Sequence, residues 1–282
     1  MQKWLHVFRI RCEPFDQTDL FAEEREASDV ILDSILAHPT AEVGGGSEWH
    51  IAAAEKFAGR AIIFQFGRVQ SITSPQYDGT RERFYEAEAE RAPYVHGVFD
   101  GETQACVIEK KSGVTAKPSE VAAKLQKLLN SVDFPAKSGF RVVVDELRDP
   151  ENFIEQVRQA ERITRFQFTA EFENPHDVYK LIHEPAEQYN EQIRGQKTTV
   201  ETRGEDLNKD VVEEMARSAA SVGDTASATI LDGERGRGRV IYLRGTPLLE
   251  KLEFSAGLED IKERMLAALK AAYIRLRYPR DD

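Results

Sequence analysis

The sequence predicts an α+β fold: an N-terminal, mostly antiparallel β-meander with flanking helices over residues 1–160, and a smaller C-terminal α+β domain over 161–282 that ends in a helix. Three observations predict it. Short windows of alternating apolar and polar residues fill much of the first half, the pattern of half-buried strands. Turn signals such as Asp100-Gly101 separate several of them, where a parallel sheet would need helical crossovers. A chain of 282 residues also exceeds one small core and suits two domains, with the boundary near residue 160.

Taken in order, a first strand runs from Trp4 to Cys12. Ser28 reads as the N-cap of a helix that places Val30, Ile31, Ile35 and Leu36 on one face. Gly44–Gly46 is a flexible connection, and Trp49–Ala54 and Ala61–Ser71 are strands. From Arg83 onward, Tyr85, Ala87 and Ala89 fall on one side of a strand and Glu86, Glu88 and Glu90 on the other. Tyr94–Phe99 and Gln104–Lys110 flank the Asp100-Gly101 turn. A helix over Ser119–Asn130 carries Val121, Leu125, Leu128 and Leu129 on one stripe, and Phe140–Val144 is apolar enough for a central strand. Asp149-Pro150 and Asn174-Pro175 each read as an Asx cap with proline in the first helical turn. Further helices are expected over 175–194, 208–222 (ended by Gly223) and 258–277, and strands over Thr198–Thr202, Ala226–Leu231 and Val240–Leu243.

Hydrophobic content of 41% and charged content of 31% are ordinary for a globular chain, so global disorder is excluded. Net charge is −11, and neither half is basic: 19 basic and 26 acidic residues over 1–160, 19 and 23 beyond. An overall field of that sign argues against coating nucleic acid or an anionic membrane. Cys12 and Cys106 fit no metal or redox spacing and point to a reducing compartment. The N-terminus reads as a strand and lacks a signal-peptide pattern. No apolar run nears the ~20 residues of a membrane span, so the expectation is a cytoplasmic protein without a membrane contact.

The segment from Asp100 to Lys111 carries the first chemical candidate. An aspartate precedes a strand whose far end is Glu109-Lys110-Lys111, and side-chain alternation puts Glu109 and Lys111 on one side. This arrangement resembles the signature of the PD-(D/E)xK nuclease superfamily, with Phe99 where the superfamily has a proline. The resemblance covers about 45 residues, because the helix and the Phe140–Val144 strand follow in the superfamily's order. It implies Asp100 and Glu109 as ligands of Mg²⁺ and Lys111 as the group that positions or activates water, with Glu86, Glu88 or Asp145 as a third acidic ligand. The same residues also read as a plain surface hairpin with a solvated end.

Arg235-Gly236-Arg237-Gly238-Arg239, with Arg244 nearby, is the second candidate. Guanidinium forks on a supple backbone suit phosphate oxygens, and Arg275, Arg277 and Arg280 would extend the patch, making nucleic acid a partner through the 235–239 loop. Asp232 and Glu234 equally make it a solvated, partly neutralised loop. His176 and His183 show no third metal ligand, and no dedicated metal site is expected. No HExxH, G-x-S-x-G, Walker-type loop or C-x-x-C is present. The row Glu86, Glu88, Glu90 must face water or a basic partner, which makes it a docking surface more than an acid–base pair.

The sequence therefore reads as a non-catalytic interaction or sensor subunit of a bacterial multi-component system, phage defence being one setting, that meets a protein and, through the arginine loop, nucleic acid. Its alternative is a Mg²⁺-dependent PD-(D/E)xK-like nuclease using Asp100, Glu109 and Lys111. On the first reading there is no cofactor. Sequence leaves the oligomeric state open.

Overall fold

The structure is a computed structural model and describes residues 2–15, 25–43, 47–171, 185, 189, 192–193, 197–233, 238–253 and 258–277. It is mixed α+β with antiparallel sheets. In chain order the elements are β1 (Gln2–Pro14), α1 (Ala27–Leu36), β2 (Thr40–Glu42), β3 (Glu48–Ala58), β4 (Ala61–Asp78), β5 (Arg83–Arg91), β6 (Tyr94–Asp100) and β7 (Ala105–Glu109). Then come α2 (Pro118–Leu129), α3 (Asp133–Lys137), β8 (Phe140–Glu146), α4 (Glu151–Gln159), β9 (Arg162–Glu171), β10 (Lys197–Arg203), α5 (Lys209–Val222), β11 (Ala226–Leu231), β12 (Arg239–Tyr242), β13 (Leu249–Glu253) and α6 (Leu258–Arg277). The expected Asn174-Pro175 helix, Gly44–Gly46, His176, His183, Arg235, Arg237 and Arg280 lie outside the described residues.

The large sheet runs β13-β1-β7-β6-β4-β3-β2, with β8 also on β1 and β5 on β4. It is apolar on both faces. Phe8, Ile10, Ile62, Phe64, Cys106 and Ile108 point to one side, where α1 contributes Val30, Ile31 and Ile35, and α2 contributes Leu125 and Leu128. Leu5, Val7, Ile63, Val98 and Val107 point to the other, where α6 contributes Met265, Leu269, Ala272 and Leu276. The central strands alternate between two cores, which is why β1, β6 and β7 read as nearly continuous apolar runs. Gly97 is required in β6: a Cβ there would stand 2.5 Å from the Phe64 ring.

The second sheet runs β10-β9-β11-β12. One face packs on α4 and α5 through Phe153, Val157, Met215, Ala216 and Ala219 against Ile163, Phe166, Ala228 and Ile230. Helix α5 begins as its sequence predicts: the Asn208 side chain accepts from the Asp210 and Val211 amides, and Gly223 closes it at φ 83°. Helix α4 is held by Asp149, whose Oδ1 accepts from Glu151 N at 3.0 Å. Helix α1 starts one residue before the expected Ser28 cap; Glu26 is its N-cap, and Ser28 Oγ accepts from Arg60 at 2.5 Å.

The cores divide the chain differently from a cut near residue 160. Helix α4 shares its core with the second sheet. Strand β13, which the sequence reading missed, pairs with β1 from Gln2↔Glu253 to His6↔Leu249, and α6 packs on the same sheet. The tail therefore returns to the N-terminal sheet. No helix among the described residues is long and apolar enough to cross a membrane.

Leu269 of α6 is fully buried in the core that this helix forms with the large sheet. Leu269→Ala should cost about 2–5 kcal/mol, the usual range for an emptied leucine site. Urea unfolding should show a lower midpoint with an unchanged slope; an unchanged midpoint would detach α6 from the large sheet's stability.

Candidate functional site

The structure keeps the nuclease-type residues apart. Asp100 ends β6 opposite Ala105, whereas Glu109 closes β7 four residues later. At about 3.4 Å per residue they stand about 14 Å apart along the strand, and one Mg²⁺ needs its oxygens at about 2.1 Å. Asp100 is buried, and its Oδ2 accepts from Thr103 Oγ1 at 2.8 Å inside the turn Gly101–Gln104. Glu109 is buried as well: Lys3 Nζ donates to Oε1 at 2.5 Å and His96 N to Oε2 at 3.2 Å. Lys111 lies beyond the strand and donates to the Tyr94 carbonyl at 3.4 Å. Of the suggested third ligands, Asp145 is paired with Arg11 Nε at 2.9 Å, and Glu86 and Glu88 lie on β5, which does not border β7. The resemblance holds along the sequence and fails in space.

The described arginines lie on β12, just after it, and on α6. Arg239 bonds Asp232 Oδ2 at 3.3 Å and Gln156 Oε1 at 2.7 Å, which fixes it to α4. The Arg244 guanidinium lies 4.6 Å from the centre of the Tyr242 ring. Arg275 pairs with Glu250 of β13 on the large sheet, and Arg277 ends α6. Arg239 and Arg275 thus belong to different sheets.

A cleft of about 440 Å³ opens between α2, β8 and the C-terminal end of α5, lined by Ser119, Gln126, Asp145, Glu146, Arg148 and Asp224 among others. Asp145 is taken by Arg11, and Gln126 Oε1 accepts from Val144 N at 3.1 Å. The cleft sets no nucleophile beside a base.

What the structure does assemble is a two-stranded ribbon. Strand β4 has eighteen residues, and from Gln70 to Asp78 its register runs with β5 alone. Nine residues carry it about 30 Å past the sheet. The loop Gly79–Glu82 is closed by Asp78, whose Oδ1 accepts from Thr80 N at 2.9 Å and Arg81 N at 3.1 Å. One face holds Ile72, Ser74, Ala87 and Ala89, all half-buried. The other holds Tyr77 against Phe84 at the tip, then Glu86, Glu88 and Glu90 in a row beside Pro75, Thr73 and Ser71, every one exposed. The two rings are 5.0 Å apart, yet Phe84 remains 79% exposed and Tyr77 56%. Alternate residues along a strand are about 7 Å apart, so each neighbouring glutamate pair repels by about 0.6 kcal/mol in water before screening. Arg83 and Arg91 point to the opposite face by alternation.

The sequence reading found the glutamate row and missed Tyr77 and Phe84. The expected strand stops at Ser71, whereas β4 continues through Pro75 to Asp78; a strand with an open edge tolerates the proline. The usable signal was Asp78-Gly79, a hairpin turn flanked by two aromatic residues. No protein-family model matches the chain, and no curated protein matches it.

Glu109 gives a pH prediction. Burial alone would raise its carboxyl, but hydrogen bonds from His96 and Lys3 override this and hold it at about 2, against 4.5 ordinarily. Its stabilisation is complete above about pH 4.5 and is lost as pH falls towards 2, because the unfolded chain takes up the proton first. Burial also lowers the His6 imidazole below 6.5, against the hydrogen bond to the Thr115 carbonyl, so its share fades as pH falls below 6.5. Glu109→Gln should cost about 3 kcal/mol at pH 7. The gap between the two proteins in urea melts should close between pH 4.5 and 2 and stay constant through the histidine range. A gap independent of pH would remove the ionic basis of this clasp.

Proposed function

We propose that the chain is a non-catalytic interaction subunit of a multi-component system, and that it docks a positively charged protein partner on the exposed face of the β4–β5 ribbon. One observation carries this reading: Glu86, Glu88, Glu90, Tyr77 and Phe84 share an exposed face that packs against nothing among the described residues. Elsewhere several buried or half-buried carboxylates are matched by cations. Glu213 is bridged by Arg158 and Arg217, Glu109 by Lys3, and Asp145 by Arg11. On the ribbon, three carboxylates repel one another, and no ion pair or hydrogen bond among the described residues relieves them. Exposed aromatic anchors beside a charged row match the anatomy of a docking surface, with the rings for affinity and the charges for orientation and encounter rate. Such a face repels phosphate, so a protein is the favoured partner over nucleic acid.

Replacing Glu86, Glu88 and Glu90 together with Gln should leave stability unchanged or raise it by up to about 1 kcal/mol, since only repulsion is removed. A photo-crosslinking residue at position 84 of the full chain, in its native cells, should give a discrete protein adduct. The same residue at Gln76, on the opposite face, should give none, and the triple Gln variant should lose the adduct. Loss of stability in the triple variant, or an adduct indifferent to it, would overturn the docking reading.

A further inference from the structure

Strand β5 is an edge. It pairs with β4 over nine residues without a register shift, and no other described strand borders it. Proteins blunt long open edges by shortness, bulges, proline, lysine or a covering element, because unpaired N–H and C=O groups recruit strands. The outer edge of β4 in the ribbon carries Pro75, and several other described edges are blunted too. Strand β2 has three residues and β12 four. Strand β13 has five, with Arg275 of α6 laid onto its Glu250. Strand β10 begins with Lys197, and its Glu201 is held by Arg165 and Arg203. Strand β5 has no lysine, proline or bulge, and only charge guards it.

That charge is selective. If two copies joined through β5, their glutamate rows would lie on one face about 5 Å apart across the new pair, an arrangement that destabilises a sheet. A strand with lysine or arginine at alternate positions would meet the same row as three opposite-charge pairs. The open backbone edge makes the site, and the row decides what lies on it.

Resting on the docking reading above, we infer that the free edge of β5 takes up an extended lysine- or arginine-rich segment of the partner protein as an added strand. Its basic side chains lie across Glu86, Glu88 and Glu90, and its end nearest the loop packs on Tyr77 and Phe84. Main-chain hydrogen bonds supply affinity and the alternate side chains supply selectivity, the general logic of strand addition.

The test uses the full-length protein and three fluorescein-labelled nine-residue probes. The first alternates threonine and lysine, the second has the same composition with its lysines contiguous, and the third is the alternating peptide with the amides of one edge N-methylated. The alternating probe should bind at least tenfold more tightly than either control at low salt, and should slow hydrogen exchange of the outward β5 amides. The triple Gln variant should weaken it at least tenfold. If all three probes bind alike and the Gln variant weakens all, strand addition is overturned while charge-based docking stands. If the Gln variant changes nothing, the docking reading falls as well. Self-association of the free protein that protects the same amides and excludes the peptide would overturn the inference in favour of a second copy.

Discussion

The rest of the structure depends on β1 being paired along both edges. One edge meets β7, and the other meets β13 and then β8 end to end. Partners from positions 105–109, 249–253 and 140–146 therefore converge on thirteen residues near the N-terminus. Because β1 is buried on both faces, a slip of one residue would exchange Val7 and Phe8 between two cores that differ in shape. Polar anchors oppose such a slip more sharply than packing does. Arg9 is buried with its guanidinium donating to the Thr103 carbonyl, and Arg11 pairs with Asp145. Moving either to the opposite face would bury a cation among α1 and α2 without a partner, which costs far more than a misplaced methyl group.

This arrangement separates what was legible in the sequence from what was not. Elements defined by their own residues were legible. Asn208 and Gly223 bound α5, Asp149-Pro150 starts α4, and the alternation over 83–91 is the face pattern of β5. Destinations were not. The apolar stripe of α6 says that the helix covers something apolar, yet both sheets offer that, and neighbours in sequence are normally neighbours in space. The tail breaks that tendency because β13 fills the edge of β1 that β8 leaves open.

The nuclease resemblance failed for a related reason. Residue spacing gives the side of a strand to which a group points, but not how far it stands from a group on the preceding strand. Asp100 and Glu109 do fall on one side by alternation, since Asp100 faces Ala105 and Glu109 follows at an even interval. The four residues of β7 between the turn and Glu109, Ala105 to Ile108, set the separation. Each carboxylate then meets a local demand. Asp100 ties the turn through Thr103, and Glu109 ties β1 and β6 to β7 through Lys3 and His96.

The contrast between Glu109 and the ribbon glutamates carries the functional argument further than either does alone. A carboxylate withdrawn from water costs several kcal/mol unless cations or amide donors compensate it, so buried acids arrive with partners and their roles are read inside the chain. Exposed acids cost little, and a partner gains little for them, so a single one signals nothing. Three in register are different, because water screens but does not remove their mutual repulsion at about 7 Å, below the Debye length of about 8 Å. A chain shaped only by its own stability would replace one of them, or set a lysine on the neighbouring strand beside them, as cross-strand pairing readily allows. Here the neighbouring positions are Ser71, Thr73 and Pro75, none of which answers the charge. With Phe84 and Tyr77 left in water at the same tip, the ribbon combines an electrostatic penalty and a hydrophobic one that nothing among the described residues relieves. Both would disappear together if a basic segment lay along β5 with an apolar side chain at its end, which is what the proposed docking requires.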